Sequence, residues 1–267
     1  MILSTRARIL LRVAVVLGLA VIYVPLFVVL VNSFNTSRTF GWPPSGFTLE
    51  WWQRAAASEG VLNAVATSVK AGLGATVIAL VLGTMAAFAV QRFRFFGRES
   101  VSFLVLLPIA LPGIVTGIAL NNAFRSLLGG LSLMTVIIGH ATFCIVVVYN
   151  NVLARLRRSG TSLEEASADL GAGLGQTFRL VTLPVIRSAL FAGGLLAFAL
   201  SFDEIIVTTF TASPGVQTLP LWIFGNLFRP NQAPVVNVVA AVLIVVSFVP
   251  VYLVQRIGGG ENAGGRI

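Results

Sequence analysis

Six apolar runs constrain this chain more than any other feature. They cover residues 11–31, 61–90, 101–121, 133–153, 188–210 and 235–257, and each reaches the about 20 residues needed to cross the roughly 30 Å hydrocarbon core of a bilayer. Lipid offers no partner to backbone N–H and C=O groups, so a spanning segment of this kind satisfies them internally as a helix. The runs therefore predict an all-α membrane protein with six transmembrane helices. Only 10% of the residues are charged and 57% are hydrophobic, against roughly 25% charged in an ordinary soluble domain. The first run follows Arg6, Arg8 and Arg12. It exceeds the about 7–15 apolar residues of a signal peptide and no small-x-small cleavage site follows it, so it reads as a retained anchor helix.

An even number of spans puts both termini on one side, and the cations say which. Thirteen arginines fall on that side, in the groups 6–12, 92–98, 155–187 and 256–266; the opposite loops hold Arg38, Arg54, Arg125 and Arg229, and Lys70 lies inside the second span. The positive-inside rule then predicts cytoplasmic termini. Cations dispersed between apolar runs are orientation signals, and the net charge of +9 does not imply nucleic acid. The first outer loop carries Gly41-Trp42-Pro43-Pro44 and Trp51-Trp52, an aromatic cluster of the sort found at headgroup level. The expected organisation is a short cytoplasmic N-terminus (1–10), a six-helix domain (11–257) whose longest inner loop is 154–187, and a flexible glycine-rich tail (258–267). The single cysteine, Cys144, excludes an intrachain disulfide.

The inner loop 154–187 contains residues that lipid would not tolerate. Thr161 or Ser162, each followed three residues later by Glu164 or Glu165, reads as a capping box. Leu163, Ala166, Leu170 and Leu174 recur at spacings of 3, 4 and 4, an apolar stripe, and Glu165 and Asp169 share another face. A helix this short, running into Gly171, Gly173 and Gly175, is marginal alone because nucleation is costly. Either it merely connects two spans in water or it docks against something.

The spacing of particular residues bears on that choice. Glu165-Ala166-Ser167, Gly171, Val181 and Leu183-Pro184 resemble the EAA signature of ATP-binding-cassette importer permeases, with Ser167 in place of the second alanine and Val181 in place of isoleucine. The resemblance implies that residues 161–176 form a coupling helix seated in a cleft of a separate ATPase subunit, with Glu164, Glu165, Ala166, Ser167, Asp169, Gly171, Leu183 and Pro184 as the coupling residues. Small side chains would let two backbones approach, Glu165 would sit where the helix dipole favours an anion, Gly171 would permit a turn that strains other residues, and Pro184 would stop the short helix before the fifth span. A phosphate-binding Walker loop needs a Gly-Lys pair, and the only lysine, Lys70, follows Val69. The chain is thus expected to be no enzyme and to hold no cofactor or metal, ATP and Mg²⁺ being bound by an ATPase dimer.

A second anomaly is Asp203-Glu204 inside the fifth run. At about 1.5 Å per residue from position 188, Asp203 lies roughly 22 Å from the inner face. Each carboxylate there costs on the order of 2.5–3.5 kcal/mol and calls for a cavity or a partner. Lys70 is the candidate counter-ion for one of them, which leaves one anion over and favours a cationic solute. The segment SFDEIIVTTFTASPGVQTLPLWIF, residues 201–224, resembles the fifth-span region of polyamine (spermidine/putrescine) importer permeases, with Pro214-Gly215 and Leu219-Pro220 after the acidic pair. That resemblance, over about residues 60–257, implies an inner-membrane importer subunit whose substrate path includes Asp203 and Glu204. It also implies a second, distinct permease subunit and an extracytoplasmic solute-binding protein as partners. Permeases for other small solutes share the frame. The rival is an ion-gradient carrier with Asp203, Glu204 and His140 as a relay, although the inverted repeats usual in such carriers are not found.

Four further readings complete the picture. His140 is expected to bond a neighbouring helix. Asn121-Asn122 and Asn150-Asn151 are expected to cap helix ends. Gly72, Gly74 and Gly83 read as a packing face, and Pro108 and Pro112 mark either a gating kink or ordinary packing.

Overall fold

The computed structural model describes residues 4–38, 41–229 and 232–258. Its elements are α1 (Thr5–Asn32), α2 (Glu50–Ala57), α3 (Glu59–Arg92), α4 (Arg98–Ala110), α5 (Gly113–Leu128), α6 (Leu133–Ser159), α7 (Ser162–Asp169), α8 (Leu174–Thr177), a π-helical turn (Phe178–Thr182), α9 (Leu183–Phe202), α10 (Ile206–Thr211), α11 (Leu219–Asn226) and α12 (Ala233–Gly258). The described residues contain no strand, only an isolated bridge between Asn35 and Phe47. The expected all-α class holds. The tail from residue 259 onward lies outside the described residues.

Two of the six expected spans are not single straight helices. The third breaks between α4 and α5, whose axes differ by 106°. Leu111, the residue before Pro112, is extended at φ −83° and ψ 142°, because the proline ring disfavours the helical conformation of the residue before it. Pro108 is accommodated inside α4. Of the two prolines, Pro112 thus makes the kink. The fifth run stops as a helix at Phe202 and resumes only at Ile206. Among the described residues, four helices are long and apolar enough to cross a membrane, five if α4 and α5 count as one crossing, and the apolar stretch Ala233–Val249 of α12 is shorter.

Two compact units divide the chain, Met1–Leu62 with Ile223–Phe248 and Asn63–Trp222 with Val249–Ile267. In the first, the loop after α1 is organised around Asn35, which is buried. Its Oδ1 accepts from the backbone N–H groups of Ser37 and Ser45 at 3.0 and 3.2 Å, and its carbonyl accepts from Trp51 Nε1 at 2.8 Å. Phe34 stacks on Trp52 at 5.1 Å. Trp51 is therefore a core residue of this loop, 4% exposed, whereas Trp42 is 61% exposed.

The second unit is built on α6, which packs along α9 and touches α4, α5 and α10. Against it lies α3, whose Ala71, Ala75, Ala79, Gly83 and Ala87 recur every four residues and are all buried. A Cβ at Gly83 would stand 2.9 Å from the Ile145 carbonyl oxygen. Small residues here let two backbones approach, the usual route to helix association in lipid, where hydrophobicity gives no drive. Gly72 and Gly74 face the side chains of Phe198 and Ile137, so the expected packing face exists. The asparagines are not caps. Asn121 lies inside α5 and donates to the Phe210 carbonyl, and Asn151 lies inside α6 and donates to Val147 O at 2.9 Å. Within an apolar span, the amide finds a nearby carbonyl more readily than it finds a helix end.

Candidate functional site

The loop between α6 and α9 is shaped by two glycines. α6 ends at Ser159, and Gly160 (φ +64°) turns the chain into α7. At the other end, Gly171 N–H bonds Ala168 O at 2.9 Å and Ala172 N–H bonds Ser167 O at 3.1 Å, with Gly171 at φ +79°. This is a Schellman closure, which needs a residue free of Cβ strain at that position. Ser167 Oγ lies 3.0 Å from Thr177 Oγ1 and joins α7 to α8. From Leu174 the chain stays helical to Phe202. Pro184 does not stop it, contrary to expectation. Proline cannot donate to the carbonyl four residues back, and the chain widens into the π turn, where Leu183 N–H bonds Phe178 O instead; such local π adjustments are how a helix absorbs a proline.

The expected stripe exists but faces outward. Leu163, Leu170 and Leu174 are 56%, 88% and 93% exposed, and Glu165, Ala166, Asp169, Gly171, Leu183 and Pro184 are exposed as well. The expected capping box is absent, since Thr161 is the N-cap but makes no side-chain capping bond. Glu164 turns away from it. Its Oε2 lies 2.9 Å from Arg92 Nε, and its Oε1 accepts from Arg92 Nη2 and from Thr182 Oγ1, both at 3.0 Å. A charged partner in a half-buried position outcompetes a neutral backbone N–H.

At the other end of α9, Asp203 is the C-cap and is exposed. Glu204, half-buried, accepts the Val207 N–H on Oε1 at 2.8 Å and so starts α10. An adjacent acid pair thus ends one helix and begins the next, which explains the break. Lys70 is exposed, and neither acid forms an ion pair with it among the described residues. The expected Lys70 neutralisation is not formed. What holds the break is His140 on α6, buried, with Nδ1 2.7 Å from Ser201 Oγ and Nε2 2.8 Å from Thr208 Oγ1. The expected interhelical bond of His140 is present. Both of its ring nitrogens are engaged by hydroxyls, which leaves no direct relay contact to Asp203 or Glu204. Thr135 Oγ1 donates to Thr211 O at 2.7 Å and Asn121 to Phe210 O, so α10 is fastened to α6 and α5 at its far end too.

Beside α10 a cavity of about 480 Å³ is lined by Asn121, Arg125, Thr209, Ser213 and Pro214 among others. A groove of about 760 Å³ along α3 and α9 is lined by apolar residues such as Leu80, Met85, Phe88 and Phe191. It contains no acid, and its chemistry suits lipid or another helix. Sequence reasoning passed over Arg92, Thr182, Ser201 and Thr208. For Arg92 no local signal exists, since its partner is 72 residues away. Thr208 stands four residues after Glu204 and Ser201 two before Asp203, positions that a search for hydroxyls around the acid pair would have found.

The family described as binding-protein-dependent transport system inner membrane component matches residues 79–258. The chain is 32% identical over 256 residues to the putrescine transport system permease protein PotI of Escherichia coli K12, with 91% of this chain and 90% of the relative covered. It is 33% identical over 245 residues to the spermidine/putrescine transport system permease protein PotC of the same organism, with 92% of each covered. A similar solved structure is that of a bacterial ABC transporter involved in the import of the acidic polysaccharide alginate, at a TM-score of 0.70 and 19% identity, covering 96% of this chain and 99% of that one.

Proposed function

Because the chain belongs to the family of binding-protein-dependent transport system inner membrane components, we propose that it is a permease subunit of an ATP-driven importer that carries polyamines inward from a solute-binding protein. One observation carries the polyamine reading, namely identity of 32% and 33% over nine-tenths of the chain with two permeases named for putrescine and spermidine. The exposed carboxylate of Asp203, at a break in a spanning segment, fits that solute class, because an ammonium group would supply the counter-charge that the described residues do not.

In this reading the chain crosses the membrane six times, with α4 and α5 sharing one crossing, α9 and α10 another and α12 a sixth, and both termini are cytoplasmic. The outward stripe of α7, led by Leu163, Leu170 and Leu174, seats in a cleft of the ATPase dimer, where Glu165 and Asp169 supply charged contacts. ATP and Mg²⁺ bind that dimer, and this chain makes and breaks no bond. A second, distinct permease completes the path. Closure of the ATPase moves α7 as a rigid body, and the helices of the second unit alternate the access of the path.

The test is uptake of labelled putrescine and spermidine into proteoliposomes holding this chain, the second permease and the ATPase, with the solute-binding protein added outside. Uptake that requires both ATP and the ATPase is expected. Uptake sustained by an ion gradient without the ATPase would overturn the reading.

A further inference from the structure

The two glutamates at the start of α7 face opposite ways. Glu165 is exposed, whereas the Glu164 side chain is 23% exposed and that of its partner Arg92 is 12% exposed. Arg92 is the last residue of α3. Its Nη2 donates both to Glu164 Oε1 at 3.0 Å and to the Gly160 carbonyl at 2.9 Å, and its Nε stands 2.9 Å from Glu164 Oε2. Thr182 of the π turn donates to the same Oε1. One ion pair therefore gathers the end of α3, the turn that follows α6, the first turn of α7 and the π turn that leads into α9.

The position of this pair matters because of what flanks α7. The helix has eight residues and hangs between Gly160 and Gly171, both at positive φ with open space where a Cβ would be. Glycines of that sort are natural pivots. Besides the pair, α7 is tied by side chains through the Thr182 hydroxyl on Glu164 and through the Ser167–Thr177 hydroxyl contact. A planar guanidinium whose Nη2 donates to a carboxylate oxygen and to a carbonyl, with Nε beside the second carboxylate oxygen, fixes orientation as well as distance. α3 is in turn locked against α6 by its small-residue stripe, so a displacement delivered at Arg92 moves two long helices together.

We propose that Arg92 is a positioning residue for coupling. It sets the angle at which α7 stands on the membrane domain and transmits displacement of α7 directly into α3, in addition to the covalent route through α6 and α9. The transmission half rests on the reading that α7 docks an ATPase, whereas the positioning half does not.

Hydrogen exchange of the full-length chain in detergent tests the positioning half. With Arg92→Gln, and independently with Glu164→Gln, the amides of α7 are expected to exchange about tenfold faster or more than in the wild type while the α6 amides keep their protection. Arg92→Lys should be intermediate, and the swap of Arg92→Glu with Glu164→Arg should return exchange to within about twofold of wild type. Equal α7 exchange in the wild type and both single variants, or a swap no better than the singles, overturns the proposal. The transmission half is read in the reconstituted importer, where Arg92→Gln should keep the ATPase bound yet lower solute taken up per ATP hydrolysed about tenfold. An unchanged ratio overturns transmission. Failure of the wild-type chain to bind any ATPase overturns the docking reading instead and leaves the exchange result standing.

Discussion

The molecule has two adjacent acid pairs, Glu164-Glu165 at the start of α7 and Asp203-Glu204 at the break between α9 and α10, and they are built alike. In each, one carboxylate turns in and the other stays exposed. The pairs differ in what meets the inner member. Glu164 meets a full positive charge on Arg92 together with the Thr182 hydroxyl. Glu204 meets the Val207 N–H, a partial charge. Each region also has an anchor drawn from a distant helix, Arg92 for the loop and His140 for the break. On the loop the anchor is a cation and pairs with the acid itself. At the break it is an imidazole that holds hydroxyls on either side and leaves the acids alone. The inner acid of the loop thus meets a full charge, whereas among the described residues neither acid of the break meets a cation, and in the proposed function a cationic solute supplies it.

Reversing the charge of the two exposed acids tests that division most severely. Asp203→Lys should lower polyamine uptake by two or more orders of magnitude, since a like charge at about 4 Å costs about 4 kcal/mol at an effective dielectric near 20. Glu165→Lys should leave solute affinity intact and weaken co-purification of the ATPase. If Asp203→Lys transports normally, or Glu165→Lys alters solute affinity, the contrast fails. His140→Ala comes next. It removes the shared partner of Ser201 and Thr208 in a buried site, with an expected cost of about 1–3 kcal/mol in thermal or denaturant stability and faster exchange in α10 but not in α7. The smallest effect is that of salt. An ion pair with part of its surface in water is screened and a hydroxyl–imidazole bond is not, so between 0.05 and 1 M salt the exchange of α7 should rise about twofold while that of α10 stays level.

Several of these features were legible from residues alone. The glycine at 171 and the stripe at 163, 166, 170 and 174 are local patterns, and the loop they shape is where periodicity places it. Pro112 offered a bend as one of two readings, and the acid pair could be seen to be out of place in lipid. Other choices were not legible. A capping box reads equally well from Thr161 and Glu164, yet Glu164 takes Arg92, because the cation arrives from another helix. The asparagines at 121 and 151 look like caps in a polar dipeptide, and only their neighbours make them interior donors.

The boundary between the two kinds of knowledge follows from the solvent. Transfer of apolar surface into lipid is a property of each segment by itself, so composition and run length alone determined that this is a multi-pass helical protein and where its polar interruptions fall. Lipid is as apolar as a protein interior, so hydropathy does not tell a packed face from a lipid-facing one. The highly apolar α1 buries only Asn32, while α6, with histidine, threonine and asparagine in it, buries thirteen residues. That Glu164 takes Arg92, and that His140 anchors the break, was decided only when residues 61 to 72 apart in the chain came into contact, because those bonds exist between surfaces and not within any one of them.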